Sequence, residues 1–166
     1  MSPIMLVAGY VFAVVVGHIC VAAVVDQLWT SLNTTPRQSS VVRPGAFLPR
    51  VVGLVERGIY LGSIQFGQPQ FIGVWLALKV AGQWKRWGEP LEYEGKTIDG
   101  RVFYNIFLIG NGLSVAYAAV ASKIVSAPKT GYFSALGWVV AILLATAALH
   151  CYVKHCQSTD QSMAGT

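Results

Sequence analysis

"VERGIYLGSIQFGQPQFIGVWLALKVAGQWKRW" occupies residues Val55 to Trp87. The stretch is mostly apolar, yet it holds Glu56, Arg57 and Lys79 and is broken in the middle by Gly67-Gln68-Pro69. Two readings compete: one kinked membrane span, or two shorter helices that enter and leave on the same side. The choice sets the number of crossings, and hence the fold.

The membrane setting itself comes from composition. Of 166 residues, 54% are hydrophobic and 11% charged, where a soluble domain carries about 25% charged residues. So few ionic side chains cannot cover a water-facing surface. Ile4 to Val25 is a charge-free run of 22 residues, and a span needs about 20. It lacks a basic leader and exceeds the apolar core of a signal peptide, about 7–15 residues, so it reads as a retained first helix. The net charge of +5 does not suggest nucleic acid. The basic residues form no patch with interleaved aromatics and sit at the ends of apolar runs, where they orient spans and meet anionic lipid.

Outward from the opening stretch, Asp26–Arg50 is polar and holds Pro36, Pro44 and Pro49, so it reads as a loop or interfacial segment. Asn33-Thr34-Thr35 matches a glycosylation sequon but falls on the cytoplasmic side of the topology below. Gly88–Arg101 is a hydrophilic loop with Glu89, Glu92, Glu94 and Asp99, four of the seven acidic residues. It reads as a solvated or docking segment. Two further apolar runs follow, Val102–Ser122 and Tyr132–Val153, then a polar tail.

Charge decides the opening question. If Arg50 to Lys85 crosses once, the twelve Lys and Arg divide six against six, and the positive-inside rule has no preference. If the chain turns back at Gly67-Gln68-Pro69, ten lie on one side and only Lys123 and Lys129 on the other. Local chemistry agrees, since Gly ends helices and Pro starts them. Each arm, 50–66 and 69–85, has 17 residues, about 25 Å of helix, at the low end for a core about 30 Å thick. The arms either span with tilt or stop short as a re-entrant pair. In such a pair, facing positions sum to about 135, so Glu56 meets Lys79 and Arg50 meets Lys85. In a single crossing Glu56 and Lys79 would lie about 34 Å apart, each an unpaired charge in hydrocarbon.

The sequence therefore predicts an all-α polytopic membrane helix bundle in one domain, 1–166, with a helical hairpin at about 50–85. Helices are expected near 4–25, 50–66, 69–86, 101–123 and 131–154, with a polar tail over 155–166. The N-terminus lies outside and the C-terminus in the cytoplasm, and the short loops and charge bias suggest a bacterial inner membrane. Trp29, Trp84 and Trp87 mark the inner boundary and Tyr132, Phe133 and Trp138 the outer one.

Glu56, Arg57 and Lys79 are the foremost site candidates, because ionisable groups at membrane depth are functional by default. The plainer alternative is that Glu56–Lys79 pins the hairpin while Arg57 snorkels to headgroups. Gln65, Gln70 and Gln83 would extend an ion or proton path. His18, Asn105 and Asn111 are candidate interhelical hydrogen-bond groups. Asn105 and Asn111 point apart, by about 240° around the axis. Around "HCYVKHC", Cys151 and His155 share a helix face, but four-ligand closure would require unwinding, so no metal is expected. Small residues recur at four-residue spacing: Gly9/Ala13/Gly17, Gly58/Gly62, Gly73/Ala77/Ala81, Gly110/Ser114/Ala118/Ser122 and Gly137/Ala141/Ala145. Such stripes let helices approach closely in lipid, inside the bundle or against another subunit. No catalytic or cofactor-binding motif is present. The leading functional expectation is a non-enzymatic accessory or scaffolding component with a protein partner or self-association. A small oligomeric channel or transporter is the alternative, and a membrane enzyme comes third.

Overall fold

The computed structural model describes residues 2–34, 47–88, 91–93, 96–98 and 100–164. Most of the polar loop after the first helix, 35–46, lies outside the described residues, as do Glu89, Glu94 and Asp99 and the side chains of Gln83, Trp84, Lys85, Trp87 and Glu92. The described chain is a helical bundle. Its elements are α1 (Pro3–Val11), a π-helical turn (Phe12–Val16), α2 (Gly17–Thr34), α3 (Phe47–Gln65), α4 (Gln70–Gly88), a short antiparallel strand pair β1 (Leu91–Tyr93) and β2 (Lys96–Ile98), α5 (Gly100–Thr130) and α6 (Tyr132–Ala164). Three helical stretches, Pro3–Ser31, Gly100–Thr130 and Tyr132–Thr159, are long and apolar enough to cross a membrane.

α1, the π turn and α2 form one continuous helix, and its sequence explains the π turn. The small residues Gly9, Ala13 and Gly17 are buried at steps of four, followed by Val21. Each step overshoots the α-helical period by about 40°, so on a pure α-helix these positions would drift off one face. One wider turn absorbs the drift. Gly9 and Gly17 then both face the interior. A Cβ on Gly9 would lie 2.5 Å from Val125 Cγ2 and 3.1 Å from the Ala121 carbonyl oxygen. One on Gly17 would lie 3.1 Å from Arg57 Cδ and 3.2 Å from Tyr117.

At the Gly-Gln-Pro break, Gly67 takes φ +71°, the left-handed conformation that favours glycine. The Gln68 amide donates to the Ser63 carbonyl at 2.8 Å and the Gly67 amide to Ile64 at 3.1 Å. This pair of bonds is a Schellman cap. Pro69 then opens α4, where its lack of an amide hydrogen costs nothing. Gly131 also takes a left-handed φ, +98°, between α5 and α6, but there a single bond from its amide to the Ala127 carbonyl at 2.9 Å forms the simpler αL cap.

Contacts set the directions. α3 runs antiparallel to the N-terminal helix: Arg50 meets Asp26 at 3.0 Å, Arg57 meets His18 at 3.0 Å, and a Cβ on Gly62 would reach the Tyr10 hydroxyl at 3.2 Å. From Asp26 to Tyr10 is 16 residues, about 24 Å, so α3 traverses most of the bundle's length. α5 is also antiparallel to the N-terminal helix, with Phe103 edge-on to Trp29 at 4.9 Å and Gly110 against Val25. α6 returns along α5, and Gln157 near its end bonds Gln27.

The helices outrun the apolar stretches that reveal them. α2 continues to Thr34, α5 runs through Pro128 to Thr130, and the segment expected as a polar tail is helical to Ala164. Hydropathy reports the part of a helix that suits lipid. Helical hydrogen bonding does not stop at that boundary, and a proline in the last turn sacrifices a single bond.

The small-residue stripes divide. Those of the N-terminal helix, and Gly62 and Gly110, face neighbours inside the bundle. Gly73, Ala77 and Ala81 on α4, and Gly137, Ala141 and Ala145 on α6, face outward. α6 also exposes Leu136, Trp138, Val140, Leu143, Leu144 and Tyr152.

Candidate functional site

A layer of polar side chains crosses the middle of the bundle, drawn from every helix except α1. On the α3–α4 side, Glu56 is 3% exposed and its Oε1 lies 2.6 Å from Lys79 Nζ. The same oxygen accepts from the Trp75 indole Nε1 at 2.9 Å. Lys79 also donates to Asn111 Oδ1 at 2.8 Å and lies over the Phe107 ring at 4.9 Å, a cation–π contact. Asn111 spends its own amide on the Phe107 carbonyl at 2.7 Å. Carboxylate and ammonium are thus both charge-paired and hydrogen-bonded, as groups withdrawn from water must be.

Arg57, the next residue, turns the other way, into the space between α2 and α5. Arg57 is 2% exposed. Nη1 donates to Ser114 Oγ at 3.1 Å, and Nη2 meets His18 Nδ1 at 3.0 Å. Arginine only donates, so His18 Nδ1 accepts, and a neutral His18 carries its proton on Nε2. The expectation that Arg57 snorkels to the headgroups is therefore corrected. It sits at the level of His18, too deep to reach out, and Gly17 gives its stem the room to lie flat against α2.

The third part joins α5 to α6. Thr146 Oγ1 donates to the Ile142 carbonyl at 2.8 Å, so the 3.0 Å contact with the Tyr117 hydroxyl has tyrosine as donor. Thr146→Val should leave that buried hydroxyl with only the Cys20 thiol, a weak partner, beside it and cost about 1 kcal/mol. Adding Tyr117→Phe should recover most of the loss. Thermal unfolding in detergent reads both, and a Thr146→Val protein as stable as the parent would show that the contact carries nothing.

The remaining candidates do not join this layer. Gln65 and Gln70 lie at the Gly67 turn, where Gln70 bonds Gln68. Asn105 is exposed on α5. Cys151 and His155 are exposed on α6, and among the described residues no group of three or more His, Cys, Asp or Glu is placed to hold a metal. Trp75, Ser114, Tyr117 and Thr146 went unread as site residues. Tyrosine, tryptophan and hydroxyl side chains are ordinary in apolar helices, and no spacing marks the ones that meet a partner.

Fold and site together define a helical bundle with three membrane-length helices and a buried, largely self-satisfied polar layer. No protein-family model matches this chain, and neither does any curated protein or solved structure.

Proposed function

We propose that this chain is a small integral membrane protein acting as a non-enzymatic accessory or scaffolding component of a membrane assembly. The observation that carries this reading is the Glu56–Lys79 pair, held at 2.6 Å with the Glu56 side chain 4% and the Lys79 side chain 20% exposed. A channel or transporter needs such groups to face water, whereas a scaffold uses them to lock two helices together. The outward stripes on α4 and α6 support the reading, since small residues on a lipid-facing surface suit close helix contact with another chain. In native membranes the protein is expected to migrate as part of a larger assembly on blue native gels. Gly73→Leu and Gly137→Leu should dissolve that assembly and leave the fold intact. Migration as a free monomer in the mildest detergents, or ion conduction in proteoliposomes, would overturn it.

The proposed topology has the α3–α4 hairpin spanning and returning, the N-terminus outside, and ten of twelve Lys and Arg inside, as in a bacterial inner membrane. Single cysteines at Gln68 and Thr130 in a cysteine-free background should label from outside, and one at Ser158 from inside. Labelling of Gln68 and Thr130 from opposite faces would rule the hairpin out.

A further inference from the structure

The accessory reading does not account for Arg57. Its guanidinium lies in the middle of the bundle, level with His18 in the charge-free run Ile4–Val25. Both of its acceptors, Ser114 Oγ and His18 Nδ1, are neutral. Among the described residues no carboxylate forms an ion pair with it, because Glu56 is committed to Lys79 and Trp75. One carboxylate thus faces two cations in this layer. Burial of a charge without a counter-charge is what protein interiors avoid most consistently.

Two further observations point to a ligand. The buried Nε of Arg57 and the buried hydroxyl of Tyr60, three residues on, have no hydrogen-bond partner. One turn back on the same helix, position 53 is glycine. A Cβ built there would meet only the guanidinium, 3.6 Å from Nη1 and 3.9 Å from Nη2. Each terminal nitrogen has used one of its two N–H donors, so donors remain on a guanidinium that borders this space.

We propose that Arg57 is an anion-binding site, in which a small monatomic anion of the halide class sits beside Gly53 against Nη1 and Nη2. It supplies the negative charge that no described side chain provides. Oxyanions are the usual partners of arginine, but one carboxylate against two cations leaves a single positive charge, which a monovalent halide balances and divalent sulfate would overshoot. This inference concerns an ion held within the fold and does not rest on the accessory reading.

The test is thermal unfolding of the purified full-length chain in detergent, with chloride replacing gluconate at constant ionic strength. A ligand that binds only the folded state raises Tm along a saturable curve, by about 5–10 °C once chloride is about a hundredfold above its Kd. Bromide should act likewise and sulfate should not. Arg57→Gln should abolish the dependence. Gly53→Val, which fills the space and leaves the guanidinium in place, should abolish it too and serves if Arg57→Gln does not fold. Equal Tm in chloride and gluconate, or a Gly53→Val protein that still responds, overturns the site. A response to sulfate in place of chloride overturns the halide assignment.

Discussion

Lys79→Ala is expected to be among the most damaging single substitutions in this protein, costing about 3–5 kcal/mol of stability. The loss comes less from the attraction removed than from what stays behind. Glu56, 3% exposed, would be left without its counter-charge and with only the Trp75 N–H as a partner. Asn111 Oδ1 would lose a donor as well. The double substitution Glu56→Gln with Lys79→Met removes both charges together and should restore most of the stability. Exchanging them, Glu56→Lys with Lys79→Glu, should restore less. A lysine at 56 would face the Trp75 indole, which can only donate. Thermal unfolding of the purified variants ranks the four proteins, and a Lys79→Ala protein within about 0.5 kcal/mol of the parent would show that the pair does not hold α3 to α4.

The second large effect is expected at Gly9. A Cβ there would stand 2.5 Å from Val125 Cγ2 and 3.1 Å from the Ala121 carbonyl oxygen. A valine side chain has few rotamers to retreat into, and the carbonyl belongs to the backbone of α5. Gly9→Leu must therefore push α1 away from α5, at a cost of about 1–3 kcal/mol or more. Gly137 is the control. Nothing lies within 4 Å of a Cβ at that position, and alanine favours the helix over glycine by about 1 kcal/mol. Gly137→Ala should therefore leave the isolated chain as stable as before or slightly more so. Unfolding midpoints of the two variants in one detergent make the comparison. Equal effects would mean that the N-terminal stripe is not a packing surface.

Much of the architecture was legible because the signals are local. The turn at Gly67 needed only a residue tolerant of positive φ followed by proline. The facing of Glu56 and Lys79 followed from counting equal distances from that turn. Helix ends were under-read, since hydropathy stops where lipid stops while hydrogen bonding continues through Thr34, Thr130 and Ala164. Arg57 was misread for a different reason. A long cation in an apolar helix has two outlets, headgroup or interior, and sequence position does not say which side of the helix meets lipid. Asn105 and Asn111 make the same point. Their divergence of about 240° was calculable, but that Asn111 faces inward to Lys79 and Asn105 faces out was not.

By itself, the sequence determined the quantities that run along the chain: three helices of membrane length, the glycine turn at Gly67 and the shared depth of Glu56 and Lys79. Each depends on one helix or one turn. The tertiary structure alone decided what is measured around and between helix axes. It set the π turn that keeps Gly9 and Gly17 on one face, the meeting of Arg57 with His18 and Ser114, the Tyr117–Thr146 bond, and the outward aspect of the α4 and α6 stripes. A helix's rotation is fixed by its neighbours, through close packing and the need to pair buried polar groups, and that information is spread over several segments at once.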